Sequence, residues 1–390
     1  MYTSMFRKAM LGDTATLNLD FTTGTLDSRL TFTRSGTGTY INSSGYVTTA
    51  STNVARFDYD PATLAPRGLL LEGQATNLTT RSEDFAHAEW TKDNSGGLAP
   101  VVTTVSATTP ANGSTVNQIV FNKTGGVFSR VSRSSVGTAS TAYTMSVWMR
   151  TVSGTANVGL RIGADAAGFN CAVTTTWKRF QYTYTLSSTD SSAQIMLWDN
   201  IVGNDETATV YVWGCQVELG TGASSYIPTT ASQVTRNADS CVMTGTNFTS
   251  WYTQGIGTVS WSGSVFRTTA GHLANINTVN NDPRITAYVG AGSLTNLVTN
   301  VTTQASISFG TVTANTAFKA AWRFNTNDFA ACLNAGTVGT DTSGTVPTGV
   351  DRIQFGAAEG GYQFLDGWIK SFKYYPTAFT NAQLQAITTL

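Results

Sequence analysis

The chain has 390 residues with 23 Lys plus Arg against 23 Asp plus Glu, so its formal net charge is zero, and only 12% of its side chains are charged. That balance excludes nucleic acid as a main partner, because neutralising phosphate needs a basic excess. No apolar run approaches the ~20 residues of a spanning helix, so no membrane partner is expected. The surface polarity comes instead from Thr, Ser, Asn and Gly, and an aromatic content of 11% marks a chain with real cores.

In chain order, the first residues carry Phe6, Met10 and Leu11 beside Arg7 and Lys8. They show no strand pattern and no apolar signal core. The segment up to about Leu19 is therefore expected to be an arm that docks on a partner. Residues 1–80 read as a strand-rich N-terminal region, closed by the proline-punctuated stretch from Phe57 through Pro61 to Pro66.

Residues 81–235 alternate apolar and polar with period two. Tyr143, Met145, Val147 and Met149 share one face, as do Phe180, Tyr182, Tyr184 and Leu186. The run Thr209 to Leu219 continues the pattern, with Gly214 as the expected site of a bulge or close backbone approach. Tyr226 to Thr230 closes this unit. Residues 236–390 hold a second set of strands, among them Lys319–Phe324 and Trp368–Tyr374. One helix is expected, at the C-terminus, with Thr380 as N-cap and Leu384 and Ile387 as its apolar face. The fold class is all-β: tandem antiparallel sandwiches, or jelly rolls, with a strand-rich N-terminal region and a short C-terminal helix.

The stretches Phe32-Thr33-Arg34-Ser35-Gly36-Thr37-Gly38-Thr39-Tyr40, Arg56-Phe57-Asp58-Tyr59-Asp60-Pro61 and Gly68-Leu69-Leu70-Leu71-Glu72, followed by Ser82-Glu83-Asp84-Phe85 and Trp90, resemble the N-terminal motif series of tailed-phage structural proteins. Trp213-Gly214-Cys215-Gln216-Val217-Glu218 with Ser225-Tyr226-Ile227-Pro228-Thr229 is similar to the end of a carbohydrate-binding-module-like jelly roll in such proteins. Phe329 to Gly336, Gly367-Trp368-Ile369-Lys370 and Tyr374-Tyr375-Pro376 resemble laminin-G and concanavalin A-like lectin domains. The resemblance implies a virion surface protein assembled in the host cytoplasm. Its implied partners are other virion proteins, through the N-terminal region, and host glycan, and virion symmetry implies a homo-oligomer.

The residues offer little catalytic chemistry. The two histidines, His87 and His272, lie in different expected domains and have no nucleophile motif beside them. Glu72, Glu218, Glu359 and Asp366 lie near the family-like motifs, but no pair reads as acid and nucleophile. A Glu at the end of a jelly-roll strand is read as a structural acceptor. Asp58 with Asp60, and Asn280-Asn281-Asp282, have the oxygens for Ca²⁺. Turn chemistry explains them better, so no cofactor and no metal site is expected, with Ca²⁺ kept as the alternative. Cys171, Cys215, Cys241 and Cys332 read as buried reduced thiols, a Cys171–Cys215 bridge being the alternative.

Sugars stack C–H faces on aromatic rings. Trp148 alternates away from Tyr143 and Met145, and Trp198 away from Ile195 and Leu197. These two rings are the candidate carbohydrate-binding residues, while Trp177, Trp251 and Trp261 read as core or its edge. The expected function is a non-enzymatic virion appendage, on tail fibre or capsid, that displays lectin-like domains for host recognition. A glycan depolymerase, and a bacterial adhesin or secreted lectin, are the alternatives.

Overall fold

The computed structural model describes residues 14–164 and 166–390. They fall into two compact units. A discontinuous unit combines the described residues through Ser44 with Ala50–Gly73 and Asn237–Leu390, and an inserted unit combines Gly45–Thr49 with Gln74–Arg236. The expected arm lies outside the described residues as far as Met10 and Leu11. Its C-terminal part is no arm, because Leu17–Asp20 is a strand with Leu17 and Leu19 buried.

The inserted unit is a two-sheet antiparallel sandwich of five strands each. One sheet runs in the order Lys178–Thr185, Ala142–Thr151, Thr207–Leu219, Thr115–Asn122, Leu98–Ser106. The other runs Phe169–Val173, Ala156–Ile162, Ala193–Trp198, Phe128–Arg133, Thr91–Ser95. The period-two faces meet between them: Tyr143, Met145, Val147 and Met149 pack with Val158, Leu160, Ile195 and Leu197. Each such side chain contributes about 1.5–3 kcal/mol when fully buried. Cys171 and Cys215 lie in this core, and all four cysteines are free and buried. Burial pushes the Cys171 and Cys215 thiols up to about 12, which keeps them protonated and inert.

The discontinuous unit packs an eight-stranded sheet on a seven-stranded one. Trp261, Trp322, Phe324, Ile353, Phe355 and Phe372 centre its core. Residues 17–71 do not form a region of their own. Leu17–Asp20 and Pro66–Leu71 both pair with Gly367–Tyr375, and Thr31–Thr33 pairs with Ser240–Thr244 of the other sheet. Leu17, Leu19, Phe21, Phe32, Leu69 and Leu71 are buried in the same core as Trp261. The prolines that read as a boundary instead shape a hairpin between Arg56–Tyr59 and Pro66–Leu71, where Pro66 takes the first position of a strand and needs no donor. The C-terminal helix spans Asn381–Ile387, with Thr380 and Gln383 forming a reciprocal capping box and Leu384 fully buried.

Four charges are buried at the point where the chain leaves this unit, after Gly73, and re-enters it, at Asn237. Arg56 bonds Glu72 at 2.7 Å and Asp239 at 2.5 Å, and Arg34 bonds Asp239 at 3.2 Å, with every side chain fully buried. Burial works against the Arg56 charge, but the two carboxylates outweigh it and hold the guanidinium protonated beyond its ordinary range. The backbones join too: the Glu72 N–H donates to the Asp239 carboxylate and the Asp239 N–H to the Glu72 carbonyl, both at 2.9 Å. Asp239→Ala takes a carboxylate from two buried guanidiniums, leaving Arg56 with Glu72, and is expected to cost about 3–5 kcal/mol, read as a lower denaturant midpoint at unchanged slope.

Candidate functional site

The outer face of the inserted unit's first sheet is half covered and half open. In the covered half Trp148 and Trp213 are cross-strand partners, and Tyr226 lies against both rings at 5.5 and 4.7 Å. The cover is held by buried polar side chains. Gln216 accepts from the Ile227 N–H at 2.7 Å, and Glu218 accepts from the Ser224 N–H at 2.7 Å and from Gln216 at 2.6 Å. Glu218 is thus a structural acceptor. At Gly214 the register shifts and φ is +65°, and a Cβ there would come within 3.0 Å of the Trp148 ring. Glycine is what lets the bulge close over the tryptophan.

Trp148 is therefore 5% exposed, with Arg179 stacked 4.4 Å from its ring and bonded to the Ser224 carbonyl at 2.7 Å. It offers no face to a sugar, which corrects the sequence expectation. Alternation gave the right direction, but the 224–229 segment folds back on that side. Trp198 points away from the core as expected and is half-buried, with Arg161 stacked 4.4 Å from its ring. It belongs to the second sheet. The two tryptophans face opposite sides of the sandwich and cannot share one platform.

The open half carries a different set. Across the sheet, Arg150 pairs with Tyr211, Tyr211 with Gln118 and Gln118 with Thr103. All four alternate outward from the core, and the first three are half-buried. Trp177, read from sequence as core or its edge, is half-buried at this surface. Its indole N–H donates to the Thr108 carbonyl at 2.8 Å, and the Arg150 guanidinium lies 5.4 Å from its ring and 4.6 Å from that of Tyr211. Arg150 makes no hydrogen bond to any described residue, so its five N–H donors face solvent while its plane is held by two rings. From Tyr211 the strand runs through Thr209 to Thr207, into a groove of about 270 Å³ whose hydroxyls come from Thr151, Ser153, Thr155, Thr207 and Thr209. Aromatic faces, a guanidinium, an amide and hydroxyls along one row suit a neutral polyhydroxyl ligand. Tyr211 was visible in the sequence, two residues from Trp213 on the same parity. The signal that separates them is the Gly214 bulge, which marks where the cover begins.

Asp58, Asp60, Asp282 and Asp366 are occupied by protein donors. Asp58 accepts from the Ile41 N–H at 2.5 Å and the Trp368 indole at 2.8 Å, and Asp60 from Ala62, Thr63 and Arg67. Asp282 accepts from Thr299 at 2.7 Å and Val301 at 2.9 Å. Asp366 accepts from Gly73 and Arg267. Among the described residues no cluster of three or more His, Cys, Asp or Glu is arranged to hold a metal ion. No described helix is long and apolar enough to cross a membrane.

His87 is half-exposed and accepts from the Glu89 N–H at 3.2 Å. His272 is buried in the discontinuous unit. Its Nδ1 lies 2.7 Å from the Thr286 hydroxyl, and its Nε2 lies 3.1 Å from Gln363 Oε1. Burial depresses the His272 imidazole to about 4.

The sequence matches no protein-family model and no curated protein. Among solved structures, the chain is similar to the CBM22-1–CBM22-2 tandem domain from Paenibacillus barcinonensis Xyn10C, at 12% identity over 80% of this chain and 92% of that one, with a TM-score of 0.28. It is similar to mouse laminin α1 domains LG4-5 at 8% identity over 63% and 86%, TM-score 0.23. The enzymatically active domain of bacteriophage CBA120 tailspike protein 4 matches at 15% identity over 37% of this chain, TM-score 0.29, and the match spans 21% of that chain.

Two stability measurements check this geometry. Trp148→Ala empties a packed aromatic site and is expected to cost about 3–5 kcal/mol, far more than a surface ring would. For His272, the folded value of about 4 lies below the ordinary 6.5, so the associated stability is complete above pH 6.5 and lost as pH falls toward 4. The loss amounts to about 3 kcal/mol. Buried Asp58, pushed up to about 6, contributes the opposite slope, so the check is the difference: the stability of wild type relative to His272→Gln should fall between pH 7 and 4.

Proposed function

We propose that this protein is a non-enzymatic surface protein of a tailed-phage virion, which binds host carbohydrate through the open half of the inserted unit's outer face. The observation that carries the binding reading is the row Arg150, Tyr211, Gln118 and Thr103 with Trp177 beside it, left open on a face that is otherwise covered. Tyr211 and Trp177 supply rings for sugar C–H faces, and Arg150, Gln118 and the groove threonines meet hydroxyls. Ring stacking of this kind adds about 0.5–1.5 kcal/mol per ring by analogy with aromatic pairs, so one site binds weakly and many copies on a particle supply avidity.

The virion assignment draws on the phage-like motifs between Phe32 and Trp90 and on the neutral, Thr-, Ser- and Gly-rich composition. Other virion proteins are the proposed partners of the N-terminal region, and the proposed location is the particle surface. Electron microscopy of particles decorated with an antibody to this chain tests that directly, and unlabelled particles would refute it.

For binding, Tyr211→Ala and Trp177→Ala should each weaken attachment of the multimerised protein to host surface polysaccharide about two- to tenfold, with little change in melting temperature. Unchanged attachment by both variants would remove the row from the function. Polysaccharide incubated with the protein should keep its chain length. Shortening that a single Asp or Glu substitution abolishes would make the protein a depolymerase.

A further inference from the structure

We propose that the outer face of the seven-stranded sheet, in the discontinuous unit, holds a second sugar site closed by the turn at residues 359–363. The floor is the strand Ala270–Asn277 between its neighbours Arg284–Gly290 and Arg352–Phe355. Ile276 faces the core, and Asn275 and Asn277 project to the other side. Both are fully buried, and both donate their amides to the Asn281 carboxamide oxygen, at 2.7 and 3.4 Å. The Oδ1 atoms of Asn275 and Asn277 then have no donor. On the same face the Arg284 Nε has no acceptor and the Glu359 Oε2 no donor, and both atoms are buried. Arg284 and Arg352 pair with Asn277 from either side, and Arg352 reaches Glu359 at 3.5 Å. Three unmet acceptors and one unmet donor thus gather on one patch, where each is costly to leave unfilled.

The charges decide what fits. Arg352 pairs with both Asp351 and Glu359, so with Arg284 the patch carries two positive and two negative charges, and burial holds His272 neutral. A bare cation would meet two guanidiniums, and an anion three unmet oxygens. A neutral polyhydroxyl ring donates O–H to each oxygen and accepts from Arg284, which answers the whole set.

The cover is a small, tethered turn. Ala358 and Tyr362 close it, and Gly360 and Gly361 take positive φ. Two side chains tie it to the floor: the Tyr362 hydroxyl accepts from Asn281 at 3.0 Å, and Gln363 meets His272 at 3.1 Å. Tyr362 is 49% exposed, so its ring lies at the mouth of the site, available to stack on an entering sugar.

This inference is independent of the aromatic row, and the experiment separates the two. Full-length protein carrying Tyr211→Ala and Trp177→Ala is titrated with glucose, galactose, mannose and N-acetylglucosamine, with saturation-transfer NMR as readout, and with inorganic phosphate and Ca²⁺ as counter-probes. At least one sugar should still bind saturably. Asn277→Ala, confirmed as folded, should weaken it about five- to tenfold. Tyr362→Phe keeps the ring, removes one tether and populates the open turn, so it should tighten binding at least twofold. No saturable sugar binding, binding indifferent to both variants, or tighter binding of phosphate or Ca²⁺ overturns the proposal. So does a sugar-soaked crystal with ordered water only at the four atoms.

Discussion

The buried quartet of Arg34, Arg56, Glu72 and Asp239 is the constraint on which the discontinuous unit depends. An insertion of more than 160 residues, Gln74–Arg236, separates Gly73 from Asn237. Bringing the ends of so long a loop together costs entropy that grows only logarithmically with its length, but something must hold the closure. Two carboxylates, one at each end of the excursion, share the Arg56 guanidinium, and their backbones bond each other. The set is neutral and fully desolvated, so it tolerates no partial loss. It also gives part of the N-terminal motif series a physical reason. Arg34, Arg56 and Glu72 stand in those motifs as the parts of a clamp, and no ligand is needed to account for them.

A sandwich has two outer faces, and this chain treats its outward aromatics in two ways. Where a ring is covered or capped, the arginine above it is pinned. Arg179 bonds Ser224 and Ser146 while stacking on Trp148, Arg161 bonds Ala166 and Gln194 while stacking on Trp198, and Arg67 bonds Asp60 beside Trp368. Those guanidiniums have been used to finish the fold. Arg150 stacks on two rings and bonds no described residue. What sets Arg150 apart is that its N–H groups are not taken up by described acceptors, since the stacking itself is common to all four.

Much of this was legible in the sequence. Period-two alternation placed Tyr143 to Met149 on the core face, because a strand admits only two sides. The C-terminal helix was legible because its cap, Thr380 with Gln383, is local. What alternation cannot show is whether an outer face is covered, since the cover comes from distant chain. Trp148 lies under Tyr226, 78 residues on, and no neighbour of Trp148 announces it. The prolines at 61 and 66 misled for the opposite reason: a local signal for a turn was read as a boundary, although Leu69 and Leu71 beside them carry the apolar side chains of a central core.

The seven-stranded sheet shows the limit of the same reasoning from the other direction. Asn275 and Asn277 obey alternation perfectly, projecting away from Ile276, and a sequence reader would place them in solvent. The structure buries them instead, each donating an amide to Asn281 and leaving its own carboxamide oxygen without a described donor. A solvent-facing Asn needs no explanation, whereas a buried one with an unmet oxygen does. The polar residues that make this chain's surface neutral are therefore of two physical kinds. Most exchange one water for another at no cost. A few, such as Asn275 and Asn277, are buried with a carboxamide oxygen that no described donor meets.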